Sequence, residues 1–145
     1  MSLQLDEFIN ELPDNVTGED CSGSTAICTL VGPETIYLAN CGNSRAIVVS
    51  QEMVALATYD HKPINPLEEE RIEKVGGYVH NEYVCGSLAA SRALGDFEYK
   101  HVPNMGPFEQ HIIPHPDISA FVRSGQDEFI LLACHGVWVI IFITV

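Results

Sequence analysis

Apolar residues recur at helical spacing near the start of the chain. Leu5, Phe8, Ile9 and Leu12 fall at i, i+3, i+4 and i+7. That spacing predicts an amphipathic helix over residues 3–12, which Pro13 helps to end. Residues 13–20 are polar and read as a loop. The pattern then changes to short apolar runs broken by turn residues. Ser24–Val31, Thr35–Asn40 and Arg45–Ser50 read as strands, separated by Gly32-Pro33-Glu34 and Gly42-Asn43-Ser44, and Val54–Thr58 adds a further strand. The result is an antiparallel meander. Asn65-Pro66-Leu67-Glu68 opens a second helix, with Asn65 as N-cap, proline at the first helical position and an acid three residues after the cap. Glu70 and Lys74 form an i,i+4 pair, and Gly76-Gly77 ends the helix. Tyr78–His80 and Tyr83–Cys85 flank Asn81-Glu82 as a small hairpin. Residues 94–110 read as loop, and Ile112-Ile113, Ile118–Val122 and Phe129–Cys134 supply later strands. These elements predict one α+β domain with helices packed on antiparallel sheet.

Composition narrows the class. The 145 residues are 46% apolar, which suits a globular domain with a modest core. Seven basic residues against twenty acidic ones give a net charge of −13. With no basic stripe, nucleic-acid binding is excluded and attraction to anionic membranes is disfavoured. Cys21, Cys28, Cys41, Cys85 and Cys134 are odd in number and show no C-x-x-C spacing. That favours reduced thiols in a cytoplasmic or nuclear setting. The acidic N-terminus does not read as a signal peptide, so the Asn15-Val16-Thr17 sequon is taken as accidental.

The C-terminal stretch Phe129–Val145 is nearly all apolar over 17 residues. A spanning helix needs about 18–20 apolar residues, and this stretch carries His135 and lacks a basic flank. A membrane anchor is therefore not expected. The stretch reads as a buried strand followed by an apolar tail. Val139–Val145 is uncharged, proline-free and rich in β-formers, a segment that aggregates if exposed and a candidate contact for a homo-oligomer.

Candidate chemistry is sparse. Asp60-His61-Lys62-Pro63 can be an acid–base pair or a loop whose aspartate caps the turn before Pro63, and the second is preferred. His111 and His115 are separated by a proline-flanked segment that forbids a helix, so they are not read as zinc ligands. No cysteine stands in an activating context, and the glycine pairs read as turns rather than phosphate cradles. Two turns carry more weight. Cys41-Gly42-Asn43-Ser44-Arg45 follows one strand and Cys134-His135-Gly136 ends another, so the two can converge at one sheet edge. Asn43 and His135 are neutral at pH 7 and suit a hard divalent cation poorly.

Seven segments together resemble the protein phosphatase 2C family of metal-dependent Ser/Thr phosphatases. They are SGSTA (Ser22–Ala26), LANCGNSRA (Leu38–Ala46), DHKP (Asp60–Pro63), EEERIEKVGGYV (Glu68–Val79), GSLAASRALGDFEYK (Gly86–Lys100), HPDI (His115–Ile118) and DEFILLACHGVW (Asp127–Trp138). The resemblance implies an αββα sandwich of antiparallel sheets flanked by helices, here in part. Residues 1–145 are expected to form a single partial domain: helix and loop over 1–20, the matched region over 21–140 and the apolar tail over 141–145. It also implies two Mg²⁺ or Mn²⁺ ions held by acidic side chains, with a bridging water attacking a phosphoserine or phosphothreonine.

The departures fall on those acids. Asn43, His135 and Val139 stand where the family places acidic residues of the metal region, and the family's Asp-Gly-His-Gly-Gly strand has no counterpart in the sequence. Two neighbouring divalent ions need several carboxylates to offset their repulsion, and Mg²⁺ prefers hard oxygen ligands to imidazole. No catalytic residue is therefore assigned, and no metal cofactor is expected. The chain is read first as a non-catalytic, phosphatase-like protein that binds a protein partner or phosphoprotein. The alternatives are an active Mg/Mn-dependent Ser/Thr phosphatase and a truncated product without independent function.

Overall fold

The computed structural model describes residues 2–12 and 21–140. The polar loop expected over 13–20 and the tail 141–145, with the oligomer contact expected of it, lie outside the described residues.

The strands form where the alternation predicts, but as two hairpins in separate sheets rather than as one meander, because the chain crosses between the sheets at the Gly42-Asn43-Ser44 turn. Strands β1 (Gly23–Ser24), β2 (Ala26–Val31), β3 (Thr35–Cys41), β4 (Arg45–Ser50) and β5 (Met53–Ala57) follow in order. Helix α2 (Pro66–Lys74) comes next, then the short strands β6 (Val79–His80), β7 (Tyr83–Val84) and β8 (Leu94–Gly95) and a 3-10 turn at Phe97–Tyr99. Strands β9 (Asp117–Val122) and β10 (Asp127–Ala133) lead into the C-terminal helix α3 (His135–Ile140). Two antiparallel three-stranded sheets result, in the orders β2-β3-β9 and β10-β4-β5. Two-residue pairings β1-β8 and β6-β7 stand beside them.

The apolar periodicities set the layers. In β3 the alternation turns Ile36 and Leu38 inward and leaves Tyr37 outward. In β4 the run Ala46–Val49 is buried on both faces, as a central strand requires. Ala46 and Val48 join Ile36 and Leu38 in the core between the sheets, with Ile130 and Leu132 packed against it. Ile47 and Val49 face the other way and pack under Trp138 of α3. Each fully buried aliphatic side chain contributes about 1.5–3 kcal/mol.

Several local expectations change in three dimensions. The N-terminal helix α1 (Ser2–Asn10) forms, but it leaves Leu5, Phe8 and Leu12 on the outside, Phe8 at 61% exposure. Asp6 is the residue turned inward, where its carboxylate binds Lys100 Nζ and accepts the Gly95 N–H. A paired, hydrogen-bonded acid outweighs the apolar stripe at this position, because the buried lysine opposite it would otherwise be left unpaired.

Asn65 does precede α2, but its amide donates to Asp60 O and makes no side-chain cap. Gly76, at φ +84°, and Gly77 close α2, the Gly77 N–H donating to Ile72 O. The expected Glu70–Lys74 pair gives way to Lys74–Glu109 at 3.8 Å. Ile112-Ile113 is not a strand, and Ile113 makes only a bridge to Arg92. Within the apolar C-terminal stretch, β10 is only half-buried and the run after Cys134 is helical rather than extended. No helix among the described residues is long and apolar enough to cross a membrane.

Candidate functional site

The register of β4 against β10 brings the two suspected turns together. Ala133 pairs with Arg45. Asn43 and His135 each lie two residues beyond that pair, at the same end of the sheet. Val139 follows one helical turn after His135 on α3. Their settings differ. Asn43 is buried and its Nδ2 donates to Ala89 O over a long 3.5 Å. His135 is exposed, and Val139 is 54% exposed. Asn43 offers an amide, His135 an imidazole and Val139 an alkyl group. Among the described residues no group of three or more His, Cys, Asp or Glu side chains is placed to hold a metal ion. This donor set does not fit two hard divalent cations.

Arg45 ties the elements of this end together. Its Nε and Nη2 donate to the two carboxylate oxygens of Asp60 at 2.9 and 3.0 Å. The same guanidinium lies over the Trp138 ring, 5.5 Å from its centroid. Trp138 Nε1 in turn donates to Ala133 O at 2.8 Å. The preferred expectation that Asp60 caps the turn before Pro63 is thus corrected. Its carboxylate is directed to an arginine on β4, a stronger, charge-assisted pairing than a neutral turn N–H provides.

His61 serves the neighbouring turn. Its backbone N–H donates to Gly42 O at 2.9 Å, and the Gly42 N–H donates back to His61 Nδ1 at 3.0 Å. Nδ1 therefore carries the lone pair and the ring proton sits on Nε2. Nε2 lies 3.1 Å from Asp117 Oδ2, at ion-pair distance but off the line of a hydrogen bond. His61 is 3% exposed. Burial lowers its affinity for a second proton, and the nearby Arg92 charge lowers it further, against the opposing pull of Asp117.

Behind this turn runs a charged network. Glu68 on α2 accepts from Arg71 Nη2 at 3.0 Å and from Arg92 Nε at 3.0 Å. Arg92 also donates from Nη1 to Asp117 Oδ1 at 2.9 Å and to His115 O at 3.0 Å. Arg71 donates to the carbonyls of Ser91, Gln110 and His111. Burial alone would raise the Glu68 carboxyl, but Arg92, Ser91 and Arg71 more than reverse this and hold it at about 2. Glu68, read as a capping acid, therefore belongs to this network instead.

Other candidates disperse. His111 packs its Nε2 near Val75 O at 3.3 Å, whereas His115 is exposed against the edge of Phe108. Cys41 is buried, and burial pushes its thiol up to about 11. The Gly95-Asp96 turn pairs with β1, the Asp96 N–H donating to Ser22 O. Sequence patterns flagged DHKP and HPDI as motifs, yet nothing in one dimension shows that His61 meets Asp117 or that Glu68 meets Arg92. The partners are dozens of residues apart.

Protein phosphatase 1B of Rattus norvegicus is 47% identical over 136 residues, covering 94% of this chain and 35% of the relative. Protein phosphatase 1A of Homo sapiens is 47% identical over 137 residues, covering 94% and 36%. The chain thus spans about a third of the length of the curated relatives it matches. Among solved structures, one described as a C. elegans sex determining protein superposes with TM-score 0.78 at 27% identity, covering 97% of this chain and 33% of the other. A phosphatase from Toxoplasma gondii superposes with TM-score 0.67 at 41% identity, covering 72% and 32%. The sequence profile of Protein phosphatase 2C matches residues 2–141. Sheet pairing, ordered motifs and a match across nearly the whole sequence agree, and the chain belongs to the protein phosphatase 2C family.

Proposed function

We propose that this chain is a non-catalytic member of its family, a phosphatase-like module that engages a protein partner or phosphoprotein through the retained sandwich. The supporting observation is chemical. Asn43 and His135 reach one end of the sheet, with Val139 beside them on α3, and none of the three brings a negative charge. Hydrolysis of a phosphate monoester at a two-metal site needs carboxylates that hold both ions and a water between them. The same residues make no site for Mg²⁺ or Mn²⁺, so no step through a metal is assigned to this chain.

The competing reading is an active Mg/Mn-dependent Ser/Thr phosphatase, and its support is the 47% identity to protein phosphatases 1A and 1B. One assay separates the two. The purified chain is given a phosphothreonine peptide and Mn²⁺, beside protein phosphatase 1A at equal concentration. Phosphate release at background supports the non-catalytic reading. Release that rises with enzyme concentration and stops on chelation overturns it.

A further inference from the structure

We propose that His61 is the positioning residue of this end of the sheet: as the neutral Nε2–H tautomer, it fixes the Gly42–Asn43 turn that carries the family's acidic position. The proposal rests on placing the candidate site at that turn.

The geometry is specific. Gly42 and His61 exchange two hydrogen bonds, backbone to backbone at 2.9 Å and backbone to ring at 3.0 Å. Gly42 sits at φ +110°, and a Cβ there would collide with Thr25 and the Arg92 carbonyl. The turn is therefore closely packed and its N–H has one acceptor, the His61 ring. Ser91 clamps the histidine from behind, its N–H and Oγ both donating to His61 O at 3.1 Å. Asn40 Nδ2 supports the turn from β3 by donating to Gly42 O at 3.1 Å.

The charged groups that face the ring are Arg92, Asp117 and Glu68. Asp117 lies beside Nε2, and Arg92 holds Asp117 and Glu68 in turn. The acid beside Nε2 favours the proton on that nitrogen, leaving Nδ1 free to accept. An imidazolium has donors at both nitrogens, so it cannot accept from Gly42. Neutral His61 accepts the Gly42 N–H and charged His61 does not, while the bonds to Gly42 O from the His61 backbone and Asn40 remain.

The test uses the full chain and NMR. Long-range nitrogen–proton spectra of the unaltered protein at neutral pH should show the Nε2–H tautomer, and an Nδ1–H tautomer overturns the proposal. In His61→Phe, exchange protection of the Gly42 amide should fall about tenfold, as for one lost hydrogen bond, while the Val48 amide of β4 stays protected. His61→Asn places an oxygen where Nδ1 was and should restore the Gly42 protection. Unchanged Gly42 protection in a folded His61→Phe, or no rescue by His61→Asn, also overturns it. Where the phenylalanine variant does not fold, the tautomer decides. Phosphatase turnover by the unaltered chain would remove the non-catalytic reading and leave the tautomer result standing.

Discussion

Arg45 lies over the Trp138 ring at 5.5 Å while gripping both oxygens of Asp60. One guanidinium thus joins β4, the 60–63 loop and α3. Arg45→Lys keeps the charge but loses the planar fork that suits both partners, and should cost about 1–2 kcal/mol in urea unfolding. Arg45→Ala leaves the Asp60 carboxylate nearly buried without its cation. A cost of about 3 kcal/mol is expected, the low end for a broken buried pair because Arg45 keeps some solvent contact. Equal stability of the alanine variant and the unaltered chain would refute this role.

Glu68 predicts a loss of stability in acid. Its folded carboxyl is held at about 2 against an ordinary 4.5. A depressed acid contributes stability that is complete above the unfolded value and is lost as pH falls from about 4.5 toward about 2. Glu68→Gln should lower stability at pH 7 by about 3–5 kcal/mol, because Arg71 and Arg92 lose their shared counter-charge. Its stability should also vary less than that of the unaltered chain between pH 4.5 and pH 2, as read by denaturant midpoints.

His61 acts in a higher window. Its folded proton affinity is below the ordinary 6.5, with burial the largest cause. Below that pH the unfolded chain takes up a proton that the folded chain resists, so stability falls as pH drops from about 6.5. His61→Asn does not titrate there and should flatten the profile between pH 6.5 and pH 5. A wild-type profile already flat in that range would contradict the prediction.

Asp6 fastens α1 through Lys100 and the Gly95 N–H. Asp6→Ala strands a nearly buried ammonium and should cost about 3 kcal/mol. Amides of α1 should lose exchange protection first, since the ion pair fastens this helix to Lys100 and the Gly95 N–H. Protection lost evenly across the sandwich would show that the ion pair is not a local fastener.

Returning acids to the family positions tests the site reading directly. The triple change Asn43→Asp, His135→Asp and Val139→Asp should still give no phosphothreonine turnover with Mn²⁺. The sequence holds no Asp-Gly-His-Gly-Gly segment to bridge two ions. Turnover approaching that of protein phosphatase 1A would show that the three substitutions alone silence the chain.

The sequence by itself determined the main strands, the first two helices and the family, but not the C-terminal helix. Alternation in Thr35–Cys41, the doubly apolar run Ala46–Val49 and the proline at the start of α2 are local signals, and local signals follow from backbone periodicity. It also revealed that Asn43, His135 and Val139 are not acids, since identity at a motif position needs no coordinates. Where those three residues sit, and what surrounds them, was decided by tertiary structure. Asp6 displaced the apolar stripe of α1 because Lys100, far along the chain, needed a counter-charge. Asp60 turned to Arg45, and Glu68 to Arg71 and Arg92, for the same reason. His61 gained its role only when Gly42, Ser91 and Asp117 closed around it. Charge pairing and burial are long-range, so their outcome is set by which segments fold together rather than by the spacing of residues within one segment.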